Sequence, residues 1–425
     1  MPDRADILEL VQVGKETTFG TAVTGSKKLL AMTLDLDPKI PTEEVRGRGY
    51  KAPVGTVVGK EQTDLNFSGP AAYNDLLYVF ATSLEQPAVS TPNKLGVFTF
   101  TITGTPTGGT FTITYDGQTT AGIAYNAAAS AVESALVALS NIGASDVDVT
   151  GSAGGPYTVT FQGDLANTSV TPTASGAGLT GGTTPSVTVA AVAAGTASLW
   201  TFQPSDTDAD TFDSLTVEKG SSAGASRVAG VRFDEWELVV TPEKSVEFKG
   251  KAIGKDIVDG ITMTGSPTEV ALKVVSPRDV SFYLASSIGG LSAGQIFPLE
   301  GKIGLKNRHT PVYRVDASDT SFAKTVERML ELQAQITVEQ DTTADAYMAL
   351  VRESTTRYLR IVATGENIET GVPYTLQITL PVKFTNPKRN PKADLHCGVY
   401  DLQGIYDATA GYTVNVQIKS DLAAL

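Results

Sequence analysis

The segment YTLQITLPVKF, Tyr374–Phe384, places an apolar side chain at every second position, with mostly polar residues between them. A period of two is the pattern of a strand that buries one face and leaves the other polar. The segments MLELQAQITVEQ, Met329–Gln340, and YTVNVQIKS, Tyr412–Ser420, repeat the pattern. The sequence therefore predicts a mainly β fold built from half-buried strands, of the sandwich or barrel kind.

Two helices are predicted among these strands, PAAYNDLLYVFATSL at Pro70–Leu84 and TTADAYMALVRES at Thr342–Ser354. In each, apolar side chains recur at helical spacing and form one face. The predicted inward-facing residues are Tyr73, Leu76, Leu77, Phe80 and Leu84 in the first helix, and Tyr347, Met348, Leu350 and Val351 in the second.

The two helices occupy parallel contexts. Each follows a strand and leads to a strand that ends in glycine, DSLTVEKG (Asp213–Gly220) and RYLRIVATG (Arg357–Gly365). A long polar loop comes before each unit, and a long two-strand stretch comes after it. This order predicts an internal duplication, with copy one in residues 1–94 and 200–265 and copy two in residues 266–425. Because patterns match rather than identities, a single unrepeated fold stays open as the alternative.

A stretch without basic residues interrupts copy one. Between Lys94 and Lys219 there is no lysine or arginine, while ten of the 46 acidic residues of the chain lie there. The stretch thus carries −10 of the formal charge of −13, and the rest of the chain is close to balanced. Such a sharp change of composition predicts an inserted module, residues 95–199.

The module opens with two alternating strands, VFTFTIT at Val97–Thr103 and TFTITYDG at Thr110–Gly117. An amphipathic helix follows, for which Asn126 is the predicted N-cap and Gly143 lies just beyond the predicted end. Two more strands, around Val147–Val149 and Tyr157–Phe161, complete a β-β-α-β-β order. The prediction is a small α+β domain that ends in a Gly/Thr/Ala-rich segment.

The runs GTFTITYDGQTTAGIAYNA, VESAL and GGPYTVTF within Val97–Val189 resemble a module of tailed-bacteriophage virion proteins. The resemblance implies a surface decoration. Outside the module, the chain resembles tail tube proteins of long-tailed bacteriophages. That resemblance is carried by VGKETTFGTAV (Val13–Val23), the loop and strand Arg46–Pro70, the helix through Leu84, and GVYDLQGIYDATAGYTVNVQI (Gly398–Ile418).

The tail-tube resemblance implies a β-sandwich-like barrel with a flanking helix, whose copies join their sheets into rings that stack into a hollow tube. It implies a virion protein, assembled in the host cytoplasm, that meets the tape measure, tail tip and tail terminator proteins. DNA would pass through the channel without specific binding. With a real duplication, three chains would form a pseudo-six-fold ring; without it, six chains would form the ring.

Bulk charge and hydropathy agree with this reading. A net charge of −13 argues against a nucleic-acid grip, because phosphate binding needs clustered cations. The start of the chain lacks the apolar run of a signal peptide, and no stretch approaches the ~20 apolar residues that span a bilayer. The sequence predicts a protein without a membrane partner.

Few residues suit catalysis or metal binding. The chain has two histidines, His309 and His396, and one cysteine, Cys397, which predicts neither an enzyme nor a cofactor or metal site. The spacing Asp206-x-Asp208-x-Asp210 begins like a calcium loop, but Thr211 and Val217 stand where that loop needs glycine and glutamate. We expect a solvated linker there, with a weak cation site as the alternative.

A basic, glycine-rich loop is the candidate contact site. Its cations are Arg46, Arg48, Lys51 and Lys60, and Arg308 lies in the corresponding polar loop of copy two. The spacing of the glycines does not fit a phosphate-binding loop. The prediction is an arm that meets acids on a neighbouring subunit; a solvated loop is the alternative.

Two functions from different classes remain at this point. The first is a structural protein that self-assembles into the tail tube through which DNA reaches the host. The second is a virion decoration or receptor-contact protein in which the inserted module recognises a host surface.

Overall fold

The computed structural model describes the chain except for residues 1–8, 91–95, 166–169, 192–196, 222–223, 340–341, 370–371 and 393–394. Most of the described chain is strand, and few residues are helical, so the prediction of a mainly β fold is confirmed.

The elements up to the predicted module are the following: β1 (Leu10–Lys15), β2 (Lys27–Leu29), β3 (Thr33–Lys39), β4 (Thr42–Val45), β5 (Gly55–Val58), β6 (Gln62–Pro70), α1 (Tyr73–Ser83) and β7 (Ala88–Ser90). The next set forms a small unit: β8 (Val97–Thr103), β9 (Gly108–Tyr115), β10 (Gln118–Thr119), β11 (Ile123–Ala124), α2 (Ala129–Val137), β12 (Val147–Gly151), β13 (Tyr157–Phe161), β14 (Thr173–Thr180) and β15 (Ser186–Ala191).

The chain continues with β16 (Ser198–Phe202), β17 (Leu215–Ser221), β18 (Gly224–Val240), β19 (Glu247–Gly254), β20 (Ile257–Ile261) and β21 (Thr268–Glu269). The last elements are β22 (Val280–Ala285), β23 (Gln295–Ile296), β24 (Glu300–Lys306), β25 (His309–Val312), β26 (Lys324–Glu327), β27 (Glu331–Glu339), α3 (Thr342–Glu353), β28 (Arg357–Glu369), β29 (Val372–Lys392), β30 (Leu395–Gly404) and β31 (Asn415–Ser420). Short 3-10 turns lie at Gly163–Leu165, Pro277–Asp279 and Ile288–Ala293.

Outside the small unit, the first and second halves of the chain repeat one order of strand pairing. The first half pairs in the order β3, β6, β19, β18 and β17. The second half pairs in the order β24, β27, β30, β29 and β28. The helix follows the second strand of each series along the chain, and a hairpin, β4–β5 or β25–β26, connects the first strand to the second.

The flanking strands also correspond. β1 pairs with β17 and with β2, as β22 pairs with β28 and with β23. β20 pairs with the first part of β18, as β31 pairs with the first part of β29. The correspondence thus extends over every sheet element of the two halves except β7, β16 and β21.

One strand pair joins the two halves. The second part of β18 is antiparallel to β24, with Trp236 opposite Leu305 and Val240 opposite Gly301. The result is a continuous antiparallel sheet of eight strands, in the order β3, β6, β19, β18, β24, β27, β30 and β29. We call it the eight-stranded sheet.

A single large hydrophobic core draws on both halves, from Val11 to Ile418. α1 lies within it, and every residue of that helix is buried rather than only the predicted face. The physical reason is that α1 contacts β18 and also β16, β29 and β31, so neighbouring strands cover it on several sides. In α3, Tyr347 is buried against Phe384 and Tyr400.

The small unit has a core of its own, made by residues between Phe98 and Val189. Its strands form two four-stranded sheets, one of β12, β13, β8 and β15, the other of β10, β9, β11 and β14. The predicted buried alternation in β8, β9 and β13 is present. The Gly/Thr/Ala-rich segment, for which no strand was predicted, supplies β14 and β15, which pair with β9 and β8.

Both predicted caps of the module helix were wrong. α2 has Ala128 at its N-cap without a side-chain hydrogen bond, because Asn126 lies in the preceding turn, where the Ala127 N–H donates to Ala124 O. The helix ends at Val137 with Ala138 as its C-cap, and two further turns carry the chain to Gly143. The Gly143 N–H donates to Asp146 Oδ2 at 2.9 Å instead of closing the helix.

Candidate assembly surface

The seam between the halves is a packed, hydrogen-bonded junction. Trp236, on β18, is buried against Phe80 of α1, with ring centroids 5.1 Å apart. Its indole N–H donates to Ser83 Oγ at 3.1 Å. Leu305 and Ile303 of β24, opposite Trp236 and Leu238, are also buried. The seam therefore places β24 of the second half beside β18, whose Trp236 is hydrogen-bonded to the helix of the first half.

The hairpin β25–β26, which we call the second arm, is anchored on the first half. The His309 N–H donates to Asp234 Oδ1 at 2.6 Å, and His309 Nε2 lies 2.8 Å from Thr82 O at the end of α1. The ring also makes an edge contact with Phe212 at 4.7 Å. Burial lowers the pKa of His309 to about 3, with Arg232 and Arg308 adding to the effect, so the ring is neutral and serves packing.

Arg308 lies beside this histidine and is 3% exposed. Its guanidinium pairs with Asp210 and lies 3.4 Å from Glu327 Oε2, and its Nε donates to Ser83 O at 3.3 Å. Burial raises the pKa of Asp210, and the positive charge of Arg308 acts in the opposite direction and lowers it. Arg308 was predicted to contact another subunit; its polar groups are instead used between the halves of one chain.

Lys60 also contacts the other half, since its ammonium donates to Asp316 O at 3.0 Å and to Asp319 O at 2.6 Å. Glu61 forms a bridge with Ser321 beside it. The remaining predicted cations lie in the hairpin β4–β5, which we call the first arm. Arg46, Arg48 and Lys51 are exposed there, and Arg46 pairs with Glu44 at 3.2 Å. Thus the structure separates the five predicted residues into three exposed and two anchored ones.

Each end of the eight-stranded sheet has an unpaired strand edge in the part of the chain that the structure describes. β3 pairs with β6 on one side only. β29 pairs with β30 from Val382 onward. The opposite side of β29 pairs with β28 only as far as Val382, so among the described residues that side is unpaired after Val382. On β18 the corresponding side is the one that binds β24. The open side of β29 therefore corresponds to the side of β18 that pairs with β24. The strand β3 corresponds to β24.

These two edges differ in charge. β3 has the sequence TLDLDPK, in which Leu34 is buried, Asp35 and Asp37 lie on the other face, and Lys39 at the end of the strand pairs with Asp37. The open part of β29 carries Lys383 and Lys388 with Arg389. Sequence reasoning missed both edges; the basic run KRNPK at Lys388–Lys392 after a long alternating strand was the available signal.

The face of the eight-stranded sheet that points away from the core is a polar groove with mixed charge. Its lining residues include Asn66, Glu235, Glu237, Lys249, Lys251, Lys302, Lys306, Gln333, Gln335, Asp401 and Gln403. Several charges are neutralised locally: Lys251 lies 3.5 Å from Asp64, and Lys302 lies 3.1 Å from Glu300. The excess of acids seen in the whole chain is not concentrated on this face.

The other sequence candidates have structural surroundings. Cys397 is buried and His396 is exposed, both near the start of β30. Asp206 accepts a hydrogen bond from the Thr413 N–H at 3.1 Å, and Asp210 is buried against Arg308, so the segment is not simply a solvated linker. Within the described residues, no group of three or more His, Cys, Asp or Glu side chains could hold a metal ion. Nor is any helix of that part of the chain both long and apolar enough to cross a membrane.

Comparison with known proteins gives one informative match. No protein-family model matches the chain. Over 89 residues it is 40% identical to the tail sheath protein of Mycobacterium phage Bxz1. The match covers 21% of this chain and 15% of that protein, so only a small part of either is shared. The similarity supports a structural component of a phage tail and leaves the kind of component open.

Proposed function

We propose that this chain is a structural protein of a phage tail whose copies join edge to edge into rings, and that the rings stack into the tail tube. The observation that carries the proposal is the seam between β18 and β24. The chain presents the same two surfaces again, unfilled, at β29 and β3. A surface pair of this kind is heterologous, and repetition of it closes into a ring or runs on as a helix.

The repeated pairing order supports an internal duplication, in which each chain supplies two positions of the ring. Six positions would then need three chains. Unpaired strand edges are a liability in a monomer, and pairing with a neighbour removes that liability. The eight-stranded sheet would continue from chain to chain, with its polar groove facing the channel.

The groove gives the proposed channel its electrostatic character. A face on which lysines and carboxylates alternate and pair offers DNA phosphates no continuous cationic track, so it would give little non-specific binding. It offers no continuous acidic repulsion either. Passage of DNA would therefore depend on the balance of charges on this face, and not on the net charge of −13.

Electron microscopy of the purified full-length protein tests the proposal. We expect hollow tubes whose rings contain three chains and show six similar positions. A ring of six chains with one repeat each would overturn the duplication. If the protein stays monomeric at high concentration, or forms a contractile outer layer around another tube, the proposal that it forms the tail tube is wrong.

A decoration or receptor-contact role for the small unit is the second candidate, favoured by its separate hydrophobic core. The strands on either side of it, β7 and β16, are antiparallel neighbours, with Ser90 opposite Leu199. A Thr-Asn-Gly turn can therefore replace residues 91–197. Tubes that form normally from this variant, in phage that no longer adsorb, would assign recognition to the small unit. Tubes and adsorption that are both unchanged would refute the recognition role.

A further inference from the structure

We propose that the first arm, β4–β5, docks on the surface formed by α3 and the bulge of β29 in a neighbouring copy of this chain. The inference rests on the proposed function and names the contact that locks one chain to the next. Within the chain, the second arm already makes the corresponding contact with α1 and β18.

The first arm has the surface of a segment that lacks its partner. All eight residues of β4 and β5 are exposed. Val57 and Val58 are 56% and 58% exposed, and Tyr50 at the tip is 73% exposed. Isolated exposed apolar residues are ordinary, but several of them on one hairpin, here on both of its faces, mark an interaction site.

The two arms begin at the same number of residues after the strand that precedes them. β25 begins three residues after β24 ends, with Asn307 and Arg308 between them, and β4 begins three residues after β3 ends, with Ile40 and Pro41 between them. Thr42 therefore corresponds to His309. The His309 N–H is the group that donates to Asp234 in the second-arm contact.

The acceptor also has a counterpart. Asp234 lies where the pairing of β18 with β19 shifts, directly after Phe233. The pairing of β29 with β30 shifts between Thr385 and Lys388, shortly after Phe384. Asn386 lies in this bulge, is exposed and has φ of 44°. Its side-chain oxygen would take the place of the Asp234 carboxylate and accept from the Thr42 N–H of the neighbour.

The helices differ where the arms would lie. The end of α1 is covered, since Thr82 O accepts from His309 of the second arm and Ser83 O accepts from Arg308 directly before it. On α3, Ala346 and Ala349 are exposed, and so are Arg352 and Glu353 at its end. These last two offer one charge of each sign to an arm that carries Glu43 and Glu44 as well as Arg46 and Arg48. The exposed alanines leave space for valine side chains.

Disulfide trapping in the full-length chain tests the contact. Because Cys397 is buried, new surface cysteines can be read without interference. We expect Thr42→Cys with Asn386→Cys to give covalent oligomers under mild oxidation, ending at the number of chains in a ring. The matched control is Thr42→Cys with Val258→Cys, in which the second cysteine stands on the exposed residue Val258 of β20. It should give none beyond random collision.

The two failures are distinguishable. If the double-cysteine variant forms tubes but no covalent oligomers, or no more than the control, the docking site is wrong and the proposed function stands. Each single variant, Thr42→Cys and Asn386→Cys, is examined for tubes as well, so loss of assembly by substitution is seen separately. If the unmodified protein forms no tubes, the proposed function itself is wrong.

Discussion

Replacement of the buried carboxyl group of Asp75 by an amide should stabilise the protein, and more so as the pH rises. Asp75 is 1% exposed within the large core. Its Oδ2 accepts from the Ala31 N–H at 3.3 Å, and its Oδ1 has no hydrogen-bond partner. Burial raises the pKa of this group from 3.8 to about 7. Asp75→Asn keeps the shape and the acceptor for Ala31 and cannot ionise, while its NH2 group replaces an oxygen that has no hydrogen-bond partner, a cost that does not change with pH.

The magnitude follows from proton linkage. Between pH 4 and pH 7 the unfolded chain has lost the Asp75 proton while the folded chain retains it, so stability falls as the pH rises through this window. The shift from 3.8 to about 7 corresponds to about 4 kcal/mol once the pH exceeds both values. At pH 5 only about 1.6 kcal/mol of this penalty is present. The free energy of unfolding of Asp75→Asn, relative to that of the unmodified protein, should therefore rise by the difference between these two penalties when the pH is raised from 5 to above 7.

Urea denaturation followed by tryptophan fluorescence measures the effect. Trp200 and Trp236 are the two tryptophans of the chain, and both belong to the large core, so the small unit does not contribute to the signal. Glu243→Gln, at an exposed acid, is the matched control. If the gain from Asp75→Asn is the same at pH 5 and pH 8, or if the amide destabilises at pH 8, the argument from burial fails.

Three further outcomes test other parts of the structure. Arg308→Ala leaves the carboxylate of Asp210 buried without its partner and should lower the free energy of unfolding by about 3–5 kcal/mol, measured by the same fluorescence. Phe111→Ala, in the separate core, should destabilise the small unit by about 3–5 kcal/mol, measured by calorimetry. The unfolding transition of the large core, followed by tryptophan fluorescence, should not shift. Asp37→Lys, which brings a lysine beside the basic residues Lys388 and Arg389 of the neighbouring β29, should reduce tube formation seen by electron microscopy; tubes that form as well as those of the unmodified protein would mean that these edges do not meet.

Local pattern predicted the strands well. Alternation over Tyr374–Phe384 and in β8, β9 and β13 corresponds to buried and exposed faces in the structure, because a strand that packs on one side can satisfy only one phase of a period of two. Helix ends were predicted less well. Asn126 and Gly143 are favoured cap residues, but the turns around α2 were fixed by backbone hydrogen bonds and by the Asp146 side chain, which a local preference does not contain.

The sequence pattern did not predict contacts between residues that are far apart in the chain. The basic character of Arg308 suggested an exposed contact residue, yet it pairs with Asp210, 98 positions away, and is buried. The full burial of α1 has the same cause, since β16 and β31 approach it from remote parts of the chain. The open edges of the sheet could be identified only after the pairing of every strand was known.

The charges at the sheet edges explain how copies of a repeated fold could join in one order. At the filled seam, β18 presents Glu235 and Glu237, and β24 presents Lys302 and Lys306 on the same face around Gly304, which is opposite Glu237. At the proposed seam between chains the arrangement differs, because the open part of β29 carries Lys388 and Arg389, and β3 carries Asp35 and Asp37 with Lys39 paired to Asp37. If the β3 of a neighbour displaced β24 from β18, its Asp37 would take the place of Gly304 opposite Glu237, and like charges directly opposite each other destabilise a strand pair. This repulsion would therefore favour pairing of β3 with β29 over exchange at the internal seam. Chains would then add only at the open edges, β3 and β29.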